Sequence, residues 1–302
     1  MSTGLRPKIS VIIPVYNAPE GLSETLNSLV NQDFSHKDFE IIVVDNRSTD
    51  STWETAEAFQ KKYQGIIKIY KEESIQSSYA ARNKGIRKSK ADVLVFIDAD
   101  MTAGSNWLRD GLKDMAEKKS DYMFFRIENY SKSDKEGLIS KYTRLKEFPQ
   151  EEYVEVHKFG TVGSLFARRE IFERFGYFDS RLISGGDKEF GNRLYEAGVA
   201  LDLNTDITLL HPTRSTFQSI VKKAFRVGRG IGRLQKLYPD RYGSMVKSPV
   251  EQGRKFFILT ARIKHIFREW EGLTLWEKVL FYCLALSTKT VGYAGQLWEK
   301  FK

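Results

Sequence analysis

Four short apolar runs rich in valine and isoleucine alternate with helical patterns over the first hundred residues. The runs are continuous, which is typical of strands that are buried on both faces of a sheet. They cover residues 9–13, 40–44, 66–70 and 93–97, and we expect Pro14 to end the first of them. This alternation predicts an α/β fold, in which helices flank a mostly parallel sheet.

The pattern changes twice along the 302-residue chain. It becomes mixed after residue 100, and after residue 212 it becomes helical and basic. We therefore expect an α/β domain over residues 1–212, with halves 1–100 and 101–212, and a basic helical extension over residues 213–302.

Charge is distributed unevenly between these parts. Residues 1–206 carry 30 Lys/Arg and 33 Asp/Glu, whereas residues 207–302 carry 18 and 6, a net charge of +12. The nearly neutral body argues against a dedicated nucleic-acid-binding protein, and its acidic strand ends would repel phosphate. The basic last third suits a phosphorylated ligand or an anionic membrane surface.

Two features of the sequence indicate the cellular compartment of the protein. A single cysteine, Cys283, excludes a disulfide framework and a cysteine-based zinc site, and it favours a reducing compartment. The first apolar run is too short for a secretory signal. We therefore expect a cytoplasmic protein.

Polar clusters follow three of the predicted strands: Tyr16-Asn17, Asp45-Asn46 and Asp98-Ala99-Asp100. Ligands of open α/β sheets bind beyond the carboxyl ends of the strands, where these clusters would meet. Asp98 and Asp100 could share a hard divalent cation and a diphosphate, or they could be ordinary strand-end acids. Asp45 could accept a hydrogen bond from a ligand or cap the next helix, although Ser48 or Asp50 could provide that cap.

Three further features are ambiguous by spacing alone. Asp187 follows a glycine pair, and it could be a general base or, with Glu189, complement a helix dipole. His211 could be a metal ligand or a structural histidine. A phosphate clamp or a basic surface could be formed by Arg226, Arg229 and Arg233.

Taken in order, five of these segments resemble the family-two glycosyltransferases with the GT-A fold, a Rossmann-like fold. The resemblance covers about residues 8–212. The matching segments are residues 11–17 (VIIPVYN), 43–50 (VVDNRSTD), 81–85 (ARNKG), 96–100 (FIDAD) and 186–190 (GDKEF) followed by Arg193-Leu194.

The resemblance implies an enzyme that holds a nucleotide-diphosphate sugar at the strand ends, with residues 1–100 as the nucleotide-binding half. Pro14, Tyr16 and Asp45 match positions that hold the base of the nucleotide. Arg82 matches a position near the base or ribose, and Asp98 matches the acid beside the ribose. A UDP-sugar is the default donor, with guanosine and thymidine diphosphate sugars as alternatives.

The resemblance also implies an inverting transfer to a hydroxyl acceptor, carried out by the half that covers residues 101–212. Asp187 matches the catalytic base. Asp100 matches the ligand of a divalent metal, Mn²⁺ or Mg²⁺, that binds the donor diphosphate. His211 matches a late histidine that completes the metal site in some relatives.

The chain departs from the usual family pattern at three places. Ala18 replaces an acid, Arg47 stands where glycine is usual, and the common Glu-Asp pair is Gly186-Asp187, for which Glu189 could compensate. These changes keep open a catalytically silent relative that acts as a scaffold in a glycan-assembly complex. The motif of processive synthases is absent, so we expect a non-processive enzyme of cell-surface glycan or lipid-linked polysaccharide synthesis.

The apolar stretch from Leu273 to Trp298 is long enough to span a bilayer but is interrupted by charged residues. One or two in-plane amphipathic helices are favoured, peripheral on the inner face of the cell membrane. The alternative is packing against the catalytic domain or a partner subunit. An interfacial belt is suggested by Trp270, Trp276, Tyr282, Tyr293 and Trp298.

Overall fold

The structure is a computed structural model that describes residues 6–146, 148–243 and 272–302. Within these ranges the chain forms two compact units. The described residues within 1–135 and 143–213 form the first unit, and those within 136–142 and 214–302 form the second. Trp270 and the basic residues between 244 and 271 lie outside the described residues.

A mixed eight-stranded sheet forms the centre of the first unit, in the order β3-β2-β1-β4-β7-β6-β8-β5. The pairs β3-β2, β2-β1, β1-β4 and β6-β8 are parallel, and the other three pairs are antiparallel. The strands are β1 Ile9–Val15, β2 Phe39–Asp45, β3 Ile67–Lys71, β4 Val93–Ile97, β5 Thr102–Ala103, β6 Tyr122–Tyr130, β7 Ser164–Arg168 and β8 Asp202–Pro212.

Helices flank this sheet and form most of the described second unit. In the first hundred residues, α1 to α3 connect the parallel strands. The helices are α1 Pro19–Val30, α2 Thr52–Lys62, α3 Ser78–Lys88, α4 Trp107–Glu117, α5 Leu138–Lys146, α6 Gln150–Glu155, α7 Arg169–Phe175, α8 Gly186–Glu196, α9 Phe217–Leu237, α10 Pro239–Tyr242 and α11 Leu275–Phe301. The predicted α/β fold is confirmed.

The burial of the central strands explains their continuous apolar runs. Val11 and Ile13 pack in the cluster that includes Leu26 of α1, while Ile42 and Val44 on the opposite face pack with Ala81 of α3. Because successive side chains of a strand point to opposite faces, both faces must be apolar.

Pro14 does not end the first strand, contrary to our expectation. β1 continues to Val15, and Pro14 pairs with Val44 in the parallel register with β2. The register with β4 stops at Ile12 and Phe96, two residues before the proline. The missing N–H of Pro14 therefore breaks no bond in the register with β4.

Close packing of α3 on β1 depends on Gly85. A Cβ atom at this position would overlap the Cγ2 atom of the fully buried Ile12. We expect Gly85→Ala to lower the thermal unfolding temperature, because such overlap costs about 1–3 kcal/mol and exceeds the gain of about 1 kcal/mol in helix propensity. Gly137→Ala is the control, since nothing lies within 4 Å of its Cβ position. Equal unfolding temperatures for the two variants would contradict this packing.

In the second unit, α9 and α11 pack with their backbones in close approach. A Cβ atom at Gly228 would overlap the backbone oxygen of Gly292, and one at Gly232 would lie 2.7 Å from the backbone oxygen of Gln296. Side chains larger than hydrogen at these positions would separate the helices. The C-terminal apolar stretch forms the single helix α11 rather than two helices.

Two of the three arginines considered above for a phosphate clamp form ion pairs between α9 and α11. Arg229 Nε lies 2.9 Å from Glu299 Oε2, and Arg233 forms an ion pair with the other carboxylate oxygen. Glu299 is buried, and burial by itself would raise the pKa of its carboxyl group. The hydrogen bonds and charges of the two arginines outweigh this effect, so the pKa is lowered. Two of the three arginines are thus committed to a structural ion cluster.

Candidate active site

The loops that follow β1 and β2 are joined by hydrogen bonds at the carboxyl edge of the sheet. Asn17 donates its backbone N–H to Ser48 Oγ at 3.0 Å, and Asn17 Oδ1 accepts the N–H of Thr49 at 2.8 Å. Asn17 and Arg47 both adopt positive φ angles, +49° and +69°. Positive φ at residue 47 explains why glycine suits this position.

Asp45 offers an acceptor atom at this edge. Its side chain is buried, and Oδ2 accepts the N–H of Ser48 at 3.2 Å. Oδ1 has no hydrogen-bond partner among the described residues. Asp50 accepts the N–H of Thr52 at the start of α2, so Asp45 is not needed as the cap. A buried oxygen without a partner is unfavourable, which suits a ligand that donates a hydrogen bond.

Tyr16 and Pro14, the two other residues expected to hold the nucleotide base, differ in their exposure to solvent. Tyr16 follows the end of β1 and is half-exposed, so its ring is accessible beside the β1 and β2 loops. Pro14 is buried inside the strand. Only Tyr16 of these two presents a large accessible side chain at the strand end.

Arg82 lies against Asp98 at the end of β4. Arg82 is 6 % exposed, and its Nη2 atom forms an ion pair with Asp98 Oδ1. The Arg82 Cζ atom also lies 5.6 Å from the ring centre of Tyr79, one turn earlier on α3. A buried cation paired in this way fixes the orientation of the Asp98 carboxylate.

Asp100 and His211 come together although they are far apart in the sequence. The pairing of β5 with β8 aligns Thr102 with Leu210, which brings the ends of both segments together. His211 Nε2 lies 3.6 Å from Asp100 Oδ2. The histidine is buried with its ring 4.8 Å from that of Phe148, whereas Asp100 is partly exposed.

These two side chains fit a divalent cation that is shared with a phosphate ligand. One carboxylate oxygen and one imidazole nitrogen are acceptable donors for Mn²⁺. Within the described ranges, no group of three or more His, Cys, Asp or Glu side chains could hold a metal ion. Magnesium-type sites commonly use one or two protein ligands and complete their coordination with substrate phosphates and water.

Asp187 lies in the first turn of α8, directly after Gly186. Gly185, the residue before the helix, adopts a φ of +82°. Its Oδ1 accepts the backbone N–H of Lys188 at 3.0 Å and the hydroxyl of Tyr79 at 3.3 Å. Burial raises the pKa of the Asp187 carboxyl, and the hydrogen bonds and the Arg82 charge oppose this effect only in part. A carboxylate with a raised pKa is a better proton acceptor than an ordinary aspartate.

Glu189 does not replace the acid missing at position 186. Its carboxylate is buried, and its two oxygens accept hydrogen bonds from Arg193 Nε and Nη2 at 2.9 and 3.0 Å. The spacing of four residues on one helix favours this internal ion pair. Our expectation that Glu189 could compensate is therefore wrong.

Sequence reasoning missed the part that α3 plays in this site. The N-cap residue of α3 and two residues of the helix bind the segment that leads into and begins α8. Ser77 Oγ donates to Leu182 O at 2.7 Å, Asn83 Nδ2 donates to Phe178 O at 2.8 Å, and the Tyr79 hydroxyl donates to Asp187 Oδ1 at 3.3 Å. These partners are about a hundred residues apart along the chain. No local pattern signals such contacts.

The sheet and its flanking helices match the GT-A fold of solved proteins. Two solved proteins share the fold. A mannosyltransferase of Pyrobaculum calidifontis, solved with GDP-Man and Mn²⁺, aligns with a TM-score of 0.61 at 16 % identity over 98 % of this chain and 87 % of that one. TarS of S. aureus, solved with UDP-GlcNAc, aligns with a TM-score of 0.57 at 18 % identity over 96 % and 90 %.

The sequence model of glycosyl transferase family 2 matches residues 10–176, and the chain belongs to this family. Glycosyltransferase AglE of Haloferax volcanii is 34 % identical over 76 % of this chain and 74 % of its own length. A dolichyl N-acetyl-alpha-D-glucosaminyl phosphate 3-beta-D-2,3-diacetamido-2,3-dideoxy-beta-D-glucuronosyltransferase of Methanococcus voltae is 26 % identical over 91 % of this chain and 94 % of its own length. The protein is therefore a glycosyltransferase of glycan biosynthesis.

Proposed function

We propose that this enzyme transfers a single sugar per encounter, with inversion, from a nucleotide-diphosphate donor to a hydroxyl acceptor, within the domain of residues 1–212. The observation that carries the proposal is the pair of contacts made by α3. Tyr79 of this helix binds Asp187, and Arg82, one turn later, binds Asp98. One rigid element thus supports both the proposed base and the proposed donor-binding acid.

Asp187 is the general base of the proposed reaction. It removes the proton from the acceptor hydroxyl while the hydroxyl oxygen attacks the anomeric carbon and the nucleoside diphosphate departs. Burial raises the pKa of Asp187, which improves its match to a hydroxyl proton. A single displacement of this kind inverts the anomeric configuration.

The donor is held at the carboxyl edge of the sheet. Asp45 has a buried oxygen that suits an N–H of the base, beside Tyr16 and Pro14. Asp98, oriented by Arg82, binds the ribose side. The related TarS structures contain UDP and UDP-GlcNAc, and a GT-A neighbour contains GDP-Man. We take a UDP-sugar as the default donor.

Asp100 and His211 are the residues that would hold Mn²⁺ or Mg²⁺, in a site that also binds the donor. A divalent metal there would neutralise charge on the departing diphosphate. The mannosyltransferase neighbour was solved with Mn²⁺, which supports this cofactor. The carboxylate of Asp100 is accessible enough to receive such a ligand.

The test is release of nucleoside diphosphate by the purified protein in Mn²⁺. Uridine, guanosine and thymidine diphosphate sugars are supplied separately, each with membrane lipid extract as the acceptor source. We expect release from one donor. Metal-dependent binding of a nucleotide by calorimetry, with no release from any donor, would instead support the silent scaffold, since Gly186 and Arg47 depart from the usual pattern.

We also propose that the acceptor is a lipid-linked glycan and that α11 places the enzyme on the cytoplasmic face of the membrane. By length and hydropathy, no helix within the described ranges could cross a bilayer. The face of α11 at positions 275, 279, 283, 286, 290, 294 and 301 is exposed and carries no charge. Its residues include Leu275, Leu286 and Phe301, which are 71 %, 56 % and 82 % exposed.

Lysines flank this apolar face of α11. Lys278, Lys289 and Lys300 recur every eleven residues and so fall in one line along the helix. Apolar side chains beside a line of cations suit the boundary between headgroups and acyl chains of an anionic bilayer. The net charge of +12 over residues 207–302 has the same sign.

Leu286→Glu should weaken binding to vesicles of phosphatidylcholine and phosphatidylglycerol by about tenfold or more, because it puts a charge in place of an exposed apolar side chain that the bilayer would cover. Gln218→Glu is the control. It adds the same charge at an exposed position of α9, away from this face. Flotation measures the bound fraction, and equal flotation of wild type and Leu286→Glu would contradict membrane docking through α11.

A further inference from the structure

Gly186, the residue before Asp187, lies directly against the ring of Tyr79. A Cβ atom on Gly186 would lie 2.7 Å from Cζ and 2.8 Å from Cε1 and Cε2 of Tyr79. These distances are shorter than real Cβ contacts. The ring of Tyr79 therefore fills the space that a side chain at position 186 would need, which is where the usual first acid of the pair is missing.

The hydroxyl of Tyr79 also contacts Asp187 twice. It donates to Asp187 Oδ1 at 3.3 Å and accepts the backbone N–H of Asp187 at 3.4 Å. The tyrosine is 5 % exposed. Burial, and then the negative charge of Asp187, raise the pKa of Tyr79 far above its ordinary value, so the hydroxyl keeps its proton.

The two oxygens of Asp187 are therefore not equivalent. Oδ1 accepts both the Tyr79 hydroxyl and the Lys188 N–H. Oδ2 has no hydrogen bond to any described residue. We propose that Tyr79 is the positioning residue of the base: it occupies the place of the missing acid and binds Oδ1, so that Oδ2 is presented to the acceptor hydroxyl. This inference rests on the proposed role of Asp187.

Tyr79 is itself held firmly enough for this task. Its ring packs against Phe178 at 6.0 Å between centres, and Phe178 is bound through its backbone to Asn83 of the same helix. Ser77, at the start of the helix, binds Leu182. The tyrosine and the segment that carries Asp187 thus form one packed assembly.

The charged groups that face Asp187 come from three elements. Arg82 on α3 lowers its pKa, and Lys188 on α8 interacts with it through charge. The charge of Asp187 also raises the pKa of Tyr122 on β6, on which Arg193 and Glu189 act as well. Tyr79 differs from these groups because its hydroxyl makes a direct hydrogen bond to the carboxylate.

Titration of Asp187 by ¹³C NMR tests the proposal without a substrate. In protein labelled at the aspartate carboxyl carbon, the resonance that Asp187→Asn removes belongs to Asp187. We expect Tyr79→Phe to raise its pKa by about one unit, because a hydrogen bond that stabilises the charged form is lost.

Tyr122→Phe is the matched control. Tyr122 is fully buried near Asp187, and its hydroxyl has no hydrogen-bond partner within the described ranges. Its removal should leave the Asp187 titration unchanged. Gly186→Ala gives a second test, because the added methyl group must displace the Tyr79 ring, and it should shift the titration in the same direction as Tyr79→Phe. Shifts in Tyr79→Phe and Gly186→Ala no larger than in Tyr122→Phe would overturn the proposal.

Kinetics separate this inference from the proposed function. With the donor that the release assay identifies, Tyr79→Phe should move the acidic limb of the kcat profile to higher pH by the same amount and leave the donor KM unchanged. If the acidic limb does not move in Tyr79→Phe and Asp187→Asn is inactive, the role of Tyr79 is rejected while Asp187 remains the proposed base. Near-wild-type turnover of Asp187→Asn would reject the base itself.

Discussion

Asp187→Asn is expected to lower kcat by about 10²–10⁴-fold, the range that a positioned general base contributes. The amide cannot take a proton from the acceptor hydroxyl, but its oxygen can still accept the hydrogen bonds of the Lys188 N–H and the Tyr79 hydroxyl. Donor affinity should therefore be retained. Nucleotide release gives kcat, and calorimetry gives the affinity for the donor nucleotide.

The stability of this variant gives an internal check. Burial raises the pKa of Asp187, so folding disfavours its charged form, and the native state loses stability as pH rises from the unfolded pKa through the folded pKa. A neutral asparagine removes this cost, and Asp187→Asn should unfold at the same temperature as wild type or a higher one at neutral pH. An inactive variant that is less stable would point to misfolding.

Glu196→Gln is the matched control for the change of charge. Glu196 lies in the last turn of the same helix, is exposed, and stands nine residues beyond Asp187. The substitution removes one carboxylate from α8 without touching the site. It should leave kcat within about twofold of wild type, as expected for an exposed position away from the chemistry.

Asp100→Ala is expected to abolish the response to Mn²⁺ and to lower turnover by about 10³-fold, because a divalent metal held there would neutralise charge on the departing diphosphate, an effect worth several kcal/mol. Only His211 would remain of the two proposed ligands, and it is already buried against Phe148. Metal-dependent nucleotide affinity should fall with turnover. Calorimetry with uridine diphosphate, with and without Mn²⁺, measures this dependence.

Asp134→Ala serves as the control for Asp100→Ala. Asp134 is exposed in the segment between β6 and α5. Its removal should leave both turnover and the Mn²⁺ response unchanged. A metal response that survives in Asp100→Ala would show that the cation is bound elsewhere.

The central fold could be predicted because its signal is local. Strands buried on both faces are apolar at nearly every position, and the segments around Val11, Ile42 and Val95 show this directly. Asp45 and Asp98 follow such strands, so the direction of the parallel sheet places them at one edge. Pro14 was misleading, because a proline is tolerated where the strand has passed the end of its pairing with one neighbour.

The support of the site could not be predicted, because it depends on contacts between distant segments. Tyr79 and Asp187 are 108 residues apart, and the overlap of Tyr79 with a Cβ atom at Gly186 exists only in three dimensions. The pairing of Glu189 with Arg193 fits ordinary helix spacing, but spacing alone did not exclude a role for Glu189 in the site. Sequence shows the chemical groups, while packing decides which of them are free to react.

The most direct test compares transfer by wild type, Asp187→Asn and Asp100→Ala with one donor, after removal of metal with EDTA and again after addition of Mn²⁺. We predict that wild-type transfer stops with EDTA and returns with Mn²⁺, while both folded variants stay about a hundredfold or more below wild type in Mn²⁺. Near-wild-type transfer by Asp187→Asn, with an unchanged metal response, would contradict the assignment of Asp187 as the base of a metal-dependent sugar transfer.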